Sequence, residues 1–217
     1  MKDFKIVWSA RSECGPNRKK NEDTIFPAIS GSSKPPFKAA VCDGLGGHVN
    51  GDVASKIAAD TLQEEITDLN QIITEANKNI LEYQDKNPSS LGMGTTMTAI
   101  SIDSDALMKI GHVGDSRCYV LSDRNLIKVT EDQNVPGYQN VLKQALGSNE
   151  KLNIQEVDFQ LQIGDVVFLC SDGLYNEVGE EYIKKKMQDG ISADTFVSEV
   201  LLLNPKDNVS AIVINLV

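Results

Sequence analysis

The sequence predicts an α+β protein in which antiparallel sheets carry helices on their outer faces. Two observations predict it. The strand-like segments MTAISID, ALMKIGHV, RCYVLS and LIKVT follow one another across short turns, as the strands of an antiparallel meander do. Helical periodicity comes in two paired blocks, residues 52–66 with 72–81 and residues 180–188 with 193–203. A doubly wound parallel sheet would instead alternate helix and strand. The 217 residues, read as one domain spanning 1–217, suffice to bury a substantial core, and 41% hydrophobic with 24% charged residues is the balance of an ordinary folded protein.

Residues 4–10 alternate apolar and polar side chains as a half-buried strand does, and KAAVC at 38–42 suits an interior strand. A polar stretch containing NRKKNED separates them. After the glycine-rich DGLGGHVNG, Val53, Ile57, Leu62 and Ile66 fall near one helical face. Ile72, Ile73, Ala76, Ile80 and Leu81 mark a second helix, ended by Asn87 and Pro88. The meander follows, with Asp123, Arg124 and Asn125 in one of its turns. A loop and a short helix over 139–146 precede strands around 154–161 and 166–171. The second helical block and a closing strand at 209–217 complete the chain.

A formal net charge of −10 argues against nucleic acid as the partner, because phosphate backbones are bound by surplus lysine and arginine. The N-terminal MKDFKIVWSARSE scatters charge through its only apolar run, and no stretch approaches the ~20 apolar residues of a membrane helix. The chain is therefore read as soluble and cytoplasmic, without a membrane partner. Cys14, Cys42, Cys118 and Cys170 form no CxxC pair, which fits buried thiols in a reducing compartment better than disulfides or zinc.

Four aspartates stand out: Asp23 in NED, Asp43 in CDGLGG, Asp172 in CSDGL and Asp207 in KDNVS. Singly, an Asp-Gly or Asp-Asn pair is an ordinary turn. As a set they say more, because Asp43 and Asp172 end apolar strands and Asp207 immediately precedes the last one. Carboxylates gathered in a cleft repel one another unless a cation joins them. Oxygen donors without histidine or thiolate suit magnesium or manganese rather than zinc or copper. Two such ions side by side allow a shared water to ionise near neutral pH and act as nucleophile.

In order, NRKKNED, VCDGLGGHVNGDVAS, GMGTTMTAI, GHVGDSRCYVL, LCSDGL and DNVSAIVI resemble the successive motifs of the type 2C metal-dependent protein serine/threonine phosphatases, compact bacterial branch, over residues 18–213. DG or GTT alone is a weak signal; the full series in order is a specific one. The resemblance implies a four-layer α-β-β-α sandwich of two face-to-face antiparallel sheets. It further implies a centre of two Mn2+ or Mg2+ ions at one end with a labile third ion, and phosphorylated proteins of a serine/threonine kinase as partners.

Carried over residue by residue, the resemblance implies that Asp43 bridges both ions and the Gly44 carbonyl binds one of them. Asp172 and Asp207 complete the other, and Glu22 and Asp23 hold coordinated waters. Arg18 grips the substrate phosphate, a task suited to the planar guanidinium fork. Asp115 holds the third ion together with Asp172. The run from Gly94 to Thr96 brings backbone close to the centre and Arg117 is read as structural; His48 and His112, whose spacing is not that of a metal-binding pair, are read either as supports behind the ligands or as structural residues.

There are departures. Leu45 stands where some eukaryotic members have a histidine, and Gln133 replaces the histidine of a bacterial Asp-His pair. The flap segment that follows is shortened to about residues 134–140. This predicts an open site that discriminates weakly among phosphopeptides. The rival readings are a regulatory pseudophosphatase that binds phosphoproteins without turnover, a two-metal nuclease and a cysteine phosphatase. Retention of Asp43, Asp172 and Asp207 counts against the first, the acidic balance against the second, and the spacing of Cys14 and Arg18, four apart, against the third. A monomer is the simplest expectation for the oligomeric state.

Overall fold

A computed structural model describes residues 4–46, 49–65, 68–148 and 150–217. The chain forms β1 (Ile6–Glu13), β2 (Asp23–Phe26), β3 (Gly31–Ser33), β4 (Phe37–Asp43), α1 (Gly51–Thr61), α2 (Leu69–Lys86), β5 (Met97–Ile102), β6 (Leu107–Val113), β7 (Arg117–Ser122) and β8 (Asn125–Lys128). It continues with β9 (Asn134–Val135), β10 (Tyr138–Leu142), β11 (Gln155–Gln160), β12 (Val166–Cys170), α3 (Asp172–Gln188), α4 (Ala193–Leu201) and β13 (Val209–Leu216). One antiparallel sheet runs β3-β1-β13-β12-β7-β8 and the other β11-β6-β5-β4-β2, while β9 and β10 pair only with each other.

The period of two in a strand explains the layering, because interior strands here are apolar on both faces. In β4, Ala39 and Val41 face the other sheet, and Ala40 and Cys42 pack under α1 and α2. In β12, Val167 and Leu169 enter the layer between the sheets, and Phe168 and Cys170 lie beneath α3 and α4. Phe168 stacks on Phe196 of α4 at 4.6 Å between ring centroids. Small residues Ala54, Ala58 and Ala59 let α1 approach its sheet closely. The side chains of Asp68 and Ser192 cap α2 and α4 by accepting from the Gln71 and Thr195 amides. The result is the four-layer sandwich with helices outside both sheets.

Several local expectations are corrected. The helix expected over 52–66 ends at Thr61, and Ile66 lies outside the described residues. The short helix expected over 139–146 is instead strand β10. Pro136 and Gly137, the latter at φ 82°, make the turn that folds this segment back on β9. Helix α3 begins at Asp172 rather than near 180 and is interrupted at Gly179, whose φ of 72° is non-helical. The polar stretch around NED contains β2, and β3 follows it. Cys42, Cys118 and Cys170 are buried, whereas Cys14 is exposed. Among the described residues, no helix is long and apolar enough to cross a membrane.

Candidate metal and phosphate site

The layer between the sheets is apolar through its middle and acidic at one end. Strands β2 and β4 are antiparallel neighbours in which Asp23 stands opposite Asp43. Each continues the inward face of its strand, Asp23 after the pattern of Ile25 and Asp43 after Ala39 and Val41. Hydrophobic alternation therefore delivers two carboxylates to the same edge.

Asp23 is only 8% exposed. The Ser210 hydroxyl donates to its Oδ2 at 2.6 Å and also meets Ser12 Oγ at 2.8 Å. Burial raises the Asp23 pKa to about 6, against the opposing effect of the Ser210 and Ser171 hydroxyls. Asp43 is gripped through its backbone. Its amide donates to Thr96 Oγ1 at 3.0 Å, and its carbonyl accepts from the Thr96 amide at 2.8 Å and the Thr95 hydroxyl at 2.9 Å. This gives the Gly94–Thr96 run its role of backbone support. The Asp43 pKa lies well above the usual carboxylate range because of burial and then the charges of Asp23 and Asp172.

Asp172 enters from the other sheet, at the point where β12 passes through Ser171 into α3. Its pKa rises to about 7, chiefly by burial and next by the charge of Asp115. Asp115, 8% exposed, is raised by burial as well. Its Oδ2 accepts from Asn134 Nδ2 at 2.9 Å, and its main-chain carbonyl accepts from the Tyr175 hydroxyl at 3.0 Å. Arg117, expected to be structural, lies 3.5 Å over the Tyr175 ring and donates to Asp132 through Nε at 3.0 Å and Nη2 at 2.6 Å.

Arg18 and Asp207 complete the cluster. Arg18 Nη2 donates to Asp207 Oδ2 at 2.5 Å, and its Nε to the Lys206 carbonyl at 3.3 Å. The guanidinium charge reaches Glu22 and Asp43 as well. The Glu22 carbonyl accepts from the Gly44 amide at 3.1 Å and the Ser55 hydroxyl at 2.6 Å. Burial raises the Glu22 carboxyl pKa. Gly44 is packed so closely that a Cβ there would collide with the Gly51 carbonyl, so backbone alone can pass this point. Buried Asn208 braces the loop by accepting from the Glu22 amide at 3.0 Å and donating to the Lys20 carbonyl at 3.1 Å.

Arg18, Glu22, Asp23, Asp43, Gly44, Asp115, Asp172 and Asp207 thus share one end of the sandwich. His48 lies outside the described residues. His112 is buried between the Thr98 hydroxyl at 2.8 Å and the Glu131 carbonyl at 3.1 Å. Burial holds its pKa down at about 4, so it is a neutral packing group. Sequence reasoning missed Ser171, Ser210, Asn208, Asn134 and Tyr175. Ser210 was traceable, since it shares the inward face of β13 with Ile212 and Ile214. Cys118 does have Arg124 six positions on, the spacing of a cysteine-phosphatase loop. Its thiol is buried between the sheets with a pKa pushed up to about 12, and Arg124 is exposed at a turn, so that chemistry is excluded.

The donor set fits hard divalent cations. Carboxylates dominate it, the charges of Arg18, Lys20 and Arg117 offset their repulsion only in part, and among the described residues no cysteine or histidine takes part. Among the described residues, no three such side chains already form a closed ligand group. Ions held here would keep part of their water, as Mg2+ commonly does.

The sequence profile of protein phosphatase 2C matches residues 16–202. The chain belongs to the protein phosphatase 2C family. The serine/threonine phosphatase Stp of Listeria monocytogenes is 32% identical over 238 residues, covering 94% of this chain and 93% of that protein. The solved structure of the Mycobacterium tuberculosis serine/threonine phosphatase PstP superimposes with a TM-score of 0.86 at 27% identity, over 97% of this chain and 98% of that one. The catalytic domain of PstP, solved with two manganese ions, gives 0.87 at 28% identity over 99% and 100% of the two chains. This phosphatase 2C chain therefore shares its sandwich fold with solved bacterial serine/threonine phosphatases.

Proposed function

We propose that this phosphatase 2C protein hydrolyses phosphoserine and phosphothreonine esters on proteins phosphorylated by a serine/threonine kinase. The observation that carries the reading is the meeting of Asp43 from one sheet with Asp172 from the other, beside the Arg18 guanidinium. Asp43, Gly44, Asp172 and Asp207 are assigned to holding two Mn2+ or Mg2+ ions, with Asp115 and Asp172 holding a third. The ions, when bound, supply the acidity and positive charge that transfer of a phosphoryl group to water requires.

The chain's own residues do the rest. Asp23, fixed by Ser210, orients water at the inner wall of the cleft, and Glu22 does so at the outer one. Arg18 holds the phosphate by a charge-assisted fork and stabilises its developing charge. Thr95 and Thr96 keep Asp43 in register, so the ligand geometry is set before substrate arrives. Turnover of p-nitrophenyl phosphate and of a phosphothreonine peptide by the purified chain, with manganese and with EDTA, tests the reading. Hydrolysis that needs manganese supports it, and full turnover in excess EDTA refutes it.

A further inference from the structure

We propose that the loop between α4 and β13, with the residues around Arg18, is a docking strip for an acidic segment of the phosphoprotein substrate that carries one leucine-sized apolar residue. This rests on the reading above, in which the Arg18 fork takes the phosphate. The two stretches that make the strip are tied together beside that fork. Asn17 Nδ2 donates to the Pro205 carbonyl at 3.0 Å, and Arg18 Nε donates to the Lys206 carbonyl at 3.3 Å. Residues 14–20 and 202–206 hold Arg18, Lys19, Lys20 and Lys206 and no acidic residue, in a chain whose formal charge is −10. Asp207 engages Arg18, and Asp52 engages Lys20. Lys19 and Lys206 are exposed, and among the described residues no ion pair engages either.

The apolar half of the strip comes from the end of α4. That helix buries Ala193, Phe196, Val197 and Val200 at helical spacing, and Leu202 and Leu203 fall outside this face. Leu202 is 85% exposed, the highest value of any large apolar side chain among the described residues, and Leu203 is 55% exposed. Their backbone is held in place. The Leu203 amide donates to the Val200 carbonyl at 2.9 Å and the Asn204 amide to the Leu201 carbonyl at 3.2 Å, and Asn204 then turns at φ 59° into buried Pro205. Two adjacent leucines in water beside two unpaired lysines are complementary to carboxylates that flank an apolar side chain. A flat anionic bilayer fits the strip less well, because the adjoining Glu13 and Asp52 would face it, whereas a single extended chain can meet the lysines alone. From Lys206 back to Leu203 the path is at most ~11 Å, which an extended substrate crosses in about four residues. The strip therefore reads a segment beyond the residues that directly flank the phosphorylated one.

The test compares a short phosphothreonine peptide with two extended forms, in which a Glu-Glu-Leu-Glu segment begins about four residues before or after the phosphothreonine. Gln-for-Glu versions of both serve as controls. With manganese, one extended form is expected to have a KM about 4–8-fold below that of the parent peptide at unchanged kcat, and to lose most of that gain at high salt. Each variant is scored by the ratio of kcat/KM for the extended peptide to that for the parent, so a change in basal rate cancels. Lys19→Gln with Lys206→Gln should remove the salt-sensitive part of the ratio, and Leu202→Ser with Leu203→Ser the salt-insensitive part. The leucine variants should turn over p-nitrophenyl phosphate as wild-type protein does. Turnover in which neither extended form surpasses its Gln version, or in which the ratio survives both double substitutions, overturns the proposal alone. It is also overturned if the leucine substitutions abolish binding to phosphatidylglycerol vesicles and leave the peptide ratio untouched, which would assign the strip to a membrane surface. A wild-type chain that hydrolyses neither the peptides nor p-nitrophenyl phosphate overturns it together with the reading on which it rests.

Discussion

The Arg18 guanidinium and the Asp207 carboxylate, 189 residues apart in the chain, meet at 2.5 Å. The contact joins the loop before β2 to the turn before β13, the strand that pairs along β1 from Ile6↔Leu216 to Glu13↔Val209. Pairing of the first and last long strands thus brings the proposed phosphate-binding cation and a proposed metal ligand to one spot. The two roles are compatible in sequence. On the proposed reading, an ion at Asp207 would replace the Arg18 contact and leave the guanidinium fork free for a phosphate.

This pairing sets the outcome of Arg18→Ala. Losing the fork removes binding in ground and transition states alike, so KM should rise and kcat fall, with a combined loss of roughly 2–4 kcal/mol in transition-state stabilisation. Manganese content should be retained, because Asp207 loses a competitor for its carboxylate and no ligand is removed. Steady-state kinetics on a phosphopeptide and metal analysis of the variant check both halves. Unchanged kcat/KM would remove Arg18 from phosphate binding.

Asp172→Asn and Asp43→Asn separate catalysis from folding. Each removes a charge from a crowded acidic cluster, so apo-protein stability should hold or increase, while turnover should fall by at least about 10³-fold as ion binding fails. Circular dichroism melts alongside p-nitrophenyl phosphate assays at several manganese concentrations test this. Residual activity within tenfold of wild type would contradict the assignment.

The same crowding predicts a pH dependence for the metal-free protein. Asp172 and Asp23 have folded-state pKa values raised to about 7 and about 6. The folded state therefore binds more protons than the unfolded chain between the ordinary carboxylate value and those figures. Stability falls as pH rises through that window, and Asp172 alone corresponds to a few kcal/mol. The melting temperature in EDTA should drop between pH 5 and pH 7.5. Manganese should restore more stability at pH 7.5 than at pH 5, since the cations replace the protons. A metal-free melting temperature that climbs over this range would count against the cluster.

Legibility followed the range of the interactions. Asp43 and Asp172 were readable because each ends a run buried on both faces and turns at a glycine, a pattern local to a few residues. The Asp23–Asp43 pairing was not, since β2 is four residues long and begins in the polar NED triplet. The hairpin was misread because Val141, Leu142, Ala145 and Leu146 have helical spacing, and the Pro136-Gly137 turn outweighs it. The bonds from Ser210 to Asp23 and from Asn134 to Asp115 depend on register between distant segments, which spacing along one segment cannot show.

The final prediction concerns substrate selection. Contacts to residues flanking a phosphorylated side chain contribute binding energy that raises kcat/KM for preferred sequences. Here the segment assigned to such contacts is β9–β10, with a two-residue first strand and Tyr138 and Val141 as its exposed large apolar side chains. Among the described residues this segment carries strand β10 and no helix. The Arg18 fork is assigned in the proposed function to the phosphate itself. With so few groups able to read flanking sequence, kcat/KM across a panel of phosphoserine and phosphothreonine peptides should vary within about tenfold, roughly 1.4 kcal/mol, leaving specificity to docking elsewhere on a protein substrate. Tyr138→Ala and Val141→Ala should compress that spread further, because they remove what side-chain reading there is. A panel spread over several orders of magnitude, insensitive to both variants, would show that flanking residues are read by a surface other than the hairpin.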